Sequence, residues 1–275
     1  MNIDGYNKLS YKLCKKLTNA YSTSFSLGIK LFSKEFRNPI YGIYGFVRVA
    51  DEIVDTFHNY DKRALMAKFR EDTLLAINQK ISTNPILNSF QKVVNDFNIE
   101  WELIDAFLTS MEMDLTENHY NRDNYDKYIY GSAEVVGLMC LRVFTNNNKV
   151  QYDKLKFAAK QLGSAFQKVN FLRDIKSDIE ERGRIYLPGI DKEIFIDDES
   201  KKMLEEEVKK EFFDALQGIK QLPKGVRTGV YTAYLYYNSL FLKITKLNIQ
   251  QLKKERVRVP DYKKLFLMIR AFVSL

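Results

Sequence analysis

The residues best suited to chemistry in this sequence are two pairs of aspartates. Asp51 and Asp55 lie in YGIYGFVRVADEIVDT (41–56), and Asp174 and Asp178 lie in QLGSAFQKVNFLRDIKSDIEERGRIYLP (161–188). On a helix, positions four apart share one face. With Asp51 at zero, Tyr44, Asp55, Arg48 and Glu52 follow at about 20°, 40°, 60° and 100°. Phe46, Val49 and Ile53 take the opposite side. In the second segment Gln167, Asn170, Asp174 and Asp178 fall within about 80° of arc. Leu162, Ala165, Val169, Leu172 and Ile179 face the other way, and Lys168, Arg173 and Lys176 fall outside the stripe.

Carboxylates gathered on helices that are otherwise apolar are costly to bury unless paired or bound to metal. One arginine, Arg48, cannot neutralise Asp51, Glu52 and Asp55 together. Mg2+ suits such oxygen ligands, and it characteristically keeps substrate phosphate as a remaining ligand. Taken alone, the first stripe is equally well described as a solvated face with salt bridges around Arg48. The second stripe resembles the wet side of an ordinary amphipathic helix. Together the two suggest a cavity edged by facing carboxylates, where bound cations would stabilise a departing diphosphate. Aromatic lining would shelter a carbocation from water and offer it cation–π contact. That chemistry is a Mg2+-dependent reaction of an isoprenoid diphosphate.

The elements that must hold these stripes are helices. The chain has 275 residues, with 45% hydrophobic and 28% charged side chains, 19 Phe and 17 Tyr, which is the profile of a globular protein with a ring-lined interior. Gly and Pro are sparse, at 12 and 5. Helical periodicity places helices at about 8–21, 35–57, 62–81, 85–97, 100–117, 124–145, 149–181, 199–220 and 225–250, with a short one near the C-terminus. Asn84-Pro85 is a cap followed by Pro at the first helical position. TNNNK (145–149) and LPKG (222–225) read as connections, and RGRIYLPGIDKEIF (182–195) as a longer loop. No linker or repeat is visible, so residues 1–275 are expected to form one all-α domain, a helical bundle around a central cavity.

Two cysteines, Cys14 and Cys140, lack disulfide or zinc-site spacing, which fits a reducing, cytoplasmic compartment. The N-terminus has charges among its apolar residues and does not read as a signal peptide. No run of about 18 apolar residues occurs. The net charge of +8 admits anionic partners, but the basic residues are dispersed and no nucleic-acid-binding module is present.

These segments resemble the squalene and phytoene synthases, the head-to-head trans-isoprenyl diphosphate synthases. YGFVRVADEIVD and QKVNFLRDIKSDIEERGRIYLP carry most of the likeness. YSTSFSLGIKLF (21–32), YIYGSAEVVG (128–137) and RVRVPDYKKL (256–265) extend it over nearly the whole chain. The resemblance implies a single isoprenoid-synthase-type bundle. It makes Asp51, Asp55, Asp174 and Asp178 catalytic metal ligands, with Asn170 as a neighbouring ligand. Tyr44, Arg48, Gln167 and Asn170 become substrate-binding residues, and Tyr130 a catalytic residue near the cation that guides proton loss. DEIVD replaces the consecutive aspartates of many members, and Glu52 still carries charge. Tyr21 stands where some members have His.

The expected reaction is head-to-head condensation of two geranylgeranyl diphosphates to phytoene, in carotenoid biosynthesis, through a cyclopropyl-carbinyl diphosphate. The expected cofactor is Mg2+, with Mn2+ as a substitute; NADPH is not expected. The alternative is the same chemistry on farnesyl diphosphate, giving squalene or dehydrosqualene. A non-catalytic scaffold with this fold is a third reading, against which both intact aspartate pairs speak. His58 and His119 are expected at the surface. Arg182 and Arg184 lie in the loop after the second motif, where diphosphate contact and solvation are both open. The basic, amphipathic end from Lys253 onward is either a docked terminal helix or a peripheral contact with the inner face of a membrane.

Overall fold

A computed structural model describes residues 2–117, 120–180, 183–184, 186 and 197–273. His119, Arg182 and most of the loop 182–195 lie outside the described residues. Those described form helices and their connections, with no β-strand among them. In chain order the helices are α1 (Ile3–Tyr21), α2 (Thr23–Lys30), α3 (Lys34–Asp55), α4 (Lys62–Gln79), α5 (Pro85–Phe97), α6 (Trp101–Met113) and α7 (Arg122–Ile129). There follow a π turn (Tyr130–Glu134), α8 (Val135–Thr145), α9 (Lys149–Glu180), α10 (Asp198–Ile219), α11 (Lys224–Ile244), α12 (Ile249–Leu252) and α13 (Asp261–Val273).

Local sequence sets most of these boundaries. Side-chain caps from Asn2, Ser22, Asp61, Asn84, Asn121, Asp197 and Asn248 accept the first free backbone N–H groups of their helices. At the other ends, Lys80, Asn98 and Asn146 take left-handed backbone conformations that close α4, α5 and α8.

Besides shifted ends, as where α1 starts five residues early and α6 stops four residues early, periodicity and structure differ at three places. The eight-residue α2 carries too few turns to register as a helical pattern. The helix expected over 124–145 is interrupted by the π turn. The one expected over 225–250 stops at Ile244, and Asn248 restarts the chain as α12 with a capping box.

The core has α3 and α9 as its main struts. Phe46 of α3 stacks on Phe90 with centroids 3.8 Å apart, and Phe69 and Phe107 each lie 5.4 Å from it. This welds α3 to α4, α5 and α6. On the other side α9 packs along α10 and against α8, α11 and the π turn. Gly163 lets α9 cross the π turn closely, since a Cβ there would sit 2.5 Å from the Ala133 carbonyl oxygen. Between these two halves lies an interior cavity.

Candidate active site

The cavity encloses about 550 Å3, with walls from α2, α3, α8, α9, α10 and α11. On α9 its lining runs from Leu155 to Asp178, a depth of about 35 Å at 1.5 Å per residue. Most of that wall is apolar or small, including Ala158, Leu162 and Phe166. Phe32, Phe144 and Tyr237 contribute rings from other helices.

The polar residues collect where α3 and α9 end. Tyr44, Arg48, Asp51 and Asp55 from α3 line the cavity, as do Gln167, Asn170, Asp174 and Asp178 from α9. The two aspartate pairs share one end. Arg184, which follows α9, donates its backbone N–H to the Asp178 carbonyl and its guanidinium to Asp55 at 2.9 Å. The eight side chains that the stripes singled out for metal and substrate are therefore brought to one cavity.

Tyr130 is the exception, which the structure does not bring to this cavity. Its side chain is absent from the cavity lining, the residue is 37% exposed, and the Lys160 ammonium lies 5.2 Å over its ring. The π turn widens the helical step here. Tyr128 and Ser132, on either side of Tyr130, are the residues that line the cavity instead.

Each motif carries arginine. Arg48 bonds Glu52, lies 3.8 Å from Asp51 and stacks 4.2 Å over the Tyr21 ring. Asp174 is gripped by Arg173 at 2.9 Å and by Arg256 at 2.7 Å. Burial pushes the Asp174 carboxyl up, but these two guanidiniums outweigh it and hold its pKa below the usual value. Burial raises the Tyr44 hydroxyl to about 12.

Sequence reasoning missed a polar knot beneath the first motif. Asp114 accepts hydrogen bonds from Tyr128 and Tyr186 at 2.9 Å and from Tyr120 at 3.3 Å, and lies 3.6 Å from Arg184. Arg184 thus bridges Asp114 and Asp55. It is buried, not a solvated loop residue. Desolvation lifts the Asp114 carboxyl to about 6, although Arg184 opposes the shift. Tyr21, Arg173 and Arg256 also line the cavity without having been singled out as ligands. Arg256 had a signal in the basic run, but its partner lies 82 residues away.

Three side-chain atoms test whether the cavity suits a ligand. Arg48 Nε, Ser132 Oγ and Asn170 Oδ1 are buried with no hydrogen-bond partner, all on cavity-lining residues. Such orphans are uncommon in native interiors and call for an explanation. Asn170 Oδ1, one turn from Asp174, is an acceptor of the kind that Mg2+ takes. Among the described residues no three His, Cys, Asp or Glu side chains converge to hold a metal by themselves. Mg2+ commonly needs no such cage, because one or two carboxylates and substrate phosphates complete its shell. The donor set fits it.

Comparison with known proteins bears on family and fold. A squalene/phytoene synthase family model matches residues 18–263. The chain is 28% identical to a phytoene synthase of Arthrospira platensis, over 93% of this chain and 90% of the relative. It is 29% identical to a 15-cis-phytoene synthase of a Synechocystis strain, over 93% and 82%. Its fold superimposes on a crystallised dehydrosqualene synthase with a TM-score of 0.81, at 20% identity, covering 98% and 97% of the two chains. A squalene synthase of Alicyclobacillus acidocaldarius follows with a TM-score of 0.76, at 18% identity, over 90% and 96%. A sequence match over nearly the whole length meets an all-α bundle built around one deep cavity, and on that footing this chain belongs to the squalene/phytoene synthase family, as a prenyltransferase.

Proposed function

We propose that this prenyltransferase joins two geranylgeranyl diphosphates head to head to form phytoene, with Mg2+ as its cofactor, at the aspartate-edged end of the cavity. The observation that carries the choice of substrate is the naming of the curated relatives as phytoene synthases, and the length of the cavity wall admits that substrate. From Asp174 down to Leu155 the α9 wall runs about 28 Å. The sixteen-carbon main chain of a geranylgeranyl group extends about 19 Å at ~1.2 Å per bond. The cavity therefore accommodates it at full stretch with room for a diphosphate at the polar end. The names of the curated relatives, phytoene synthases at 28–29% identity, support the same substrate.

In this reading Asp51, Asp55, Asp174, Asp178 and the Asn170 side-chain oxygen would hold Mg2+, which would supply positive charge against a departing diphosphate. Arg48, Arg173 and Arg256 lie beside those carboxylates and present guanidinium groups to the same phosphate oxygens. Tyr44 and Gln167 line the wall next to them and orient the head group. Below, the apolar wall and the rings of Phe166, Phe171 and Tyr237 exclude water from the cationic carbons and stabilise them through their faces. Tyr128, with its hydroxyl on Asp114, replaces Tyr130 as the mid-chain tyrosine at the reacting end.

The test is a product assay. Purified protein is incubated with Mg2+ and geranylgeranyl or farnesyl diphosphate, with and without NADPH, and the extracted hydrocarbon is identified by mass spectrometry. The expected product is a forty-carbon hydrocarbon formed without NADPH. A thirty-carbon product alone would move the assignment to the farnesyl branch, to which the similarity with a dehydrosqualene synthase structure points. No product from either substrate would refute the reading.

A further inference from the structure

The last helix leaves one face unpartnered. In α13, Leu267 and Ala271 are buried against the bundle. Tyr262, Leu265, Phe266, Ile269, Phe272 and Val273 are all more than half exposed. Taking Tyr262 as zero, these six fall within about 120° of arc, opposite the buried pair. No other helix among the described residues exposes more than three large apolar side chains. A docked terminal helix explains Leu267 and Ala271, but it does not explain a second apolar face turned outward.

The charge around this face is mainly positive. Lys263 and Arg270 lie along one edge of the apolar arc at about 80–100°, and α13 carries no acidic residue after Asp261. The strap leading into it adds Lys254 and Arg258 against one acidic residue, Glu255. Lys176 and Lys243 donate to the strap's carbonyls, at Lys254 and Arg258 respectively, and bring two further cations beside it. A continuous apolar stripe with an excess of cations beside it matches an anionic lipid surface.

Position joins this face to the cavity mouth. Lys264 donates to Thr23 Oγ1 at 3.2 Å, and the neighbouring Tyr21 and Ser22 line the cavity. Arg256, five residues before α13, lines the cavity and grips Asp174. We infer that the outer face of α13 lies in the headgroup region of a bilayer containing anionic lipid, and seats the cavity mouth against the membrane. The inference extends the reading above, because a twenty-carbon prenyl substrate and a forty-carbon hydrocarbon product both belong in lipid.

The experiment measures co-sedimentation of the substrate-free protein with vesicles of phosphatidylcholine alone and of phosphatidylcholine with 30% phosphatidylglycerol. Binding is expected to the anionic vesicles and to fall as salt is raised. The exposed triple variant Phe266→Ser, Ile269→Ser and Phe272→Ser should partition on the order of 100-fold more weakly. Its turnover of detergent-dispersed substrate should be unchanged, so a failed product assay and a failed membrane assay are told apart. Unaltered binding by the triple variant, or no binding of the wild-type protein to anionic vesicles, overturns the inference. Light scattering showing a dimer that the triple variant dissociates, without vesicle binding, assigns the face to a second copy and likewise overturns it.

Discussion

Asp114 offers a quantitative test of the knot that underlies the first aspartate motif. Its carboxyl is buried, accepts three tyrosine hydroxyls and titrates at about 6, against 3.8 for a free carboxyl. The folded protein therefore holds this proton more tightly than the unfolded chain does. As pH rises from about 4 through about 6, the unfolded chain ionises first and the folded state loses ground. The difference corresponds to about 3 kcal/mol, fully expressed by pH 7. Asp114→Asn keeps the shape and an acceptor but removes the titration. Urea unfolding of the metal-free protein, measured for both chains from pH 4 to pH 7.5, should show the wild type losing about 3 kcal/mol relative to the variant. If the two stability curves run parallel across that range, burial does not govern the carboxyl and the reasoning is wrong.

Three further outcomes are expected. Asp51→Asn and Asp174→Asn should each abolish product formation while leaving the circular dichroism spectrum near wild type, with a lower unfolding midpoint for Asp174→Asn, which loses the charge paired with Arg173 and Arg256; a fully active double variant would sink the metal-site reading. Ala158→Phe should cut turnover of geranylgeranyl diphosphate and spare farnesyl diphosphate, because the longer chain reaches about 5 Å deeper, roughly one helical turn, into the wall where Ala158 sits. Equal loss on both substrates in a kinetic comparison would contradict the depth argument. Phe46→Ala should cost about 3–5 kcal/mol in chemical denaturation, since it empties the centre of a four-ring stack.

The aspartate stripes were legible in the sequence because residues three and four apart on a helix need no tertiary knowledge to be placed together. The same rule put Arg48, Tyr44, Gln167 and Asn170 on the stripes that line the cavity. It could not find Asp114, whose partners Tyr186 and Arg184 are about 70 residues distant, in the segment after α9, and meet it only in the folded chain. Nor could it see the outward face of α13, because a periodic pattern reports an apolar arc without saying which side the bundle will cover. Tyr130 was named from the resemblance and not from periodicity, and it opens the π turn outside the cavity lining.

That local change of period has a consequence for how the cavity wall could be altered. A π turn holds one residue more than the α-helical turn it replaces. Deleting a single residue between Tyr130 and Glu134 would restore an uninterrupted α-helix and swing α7 relative to α8 by about 100°. Point substitution changes one side chain of the lining at a time. A one-codon deletion here would exchange a whole strip of it, turning Tyr128 away from Asp114 or α8 away from the hydrocarbon bay. The spare residue thus acts as a phase setting between the acidic end of the cavity and its apolar depth.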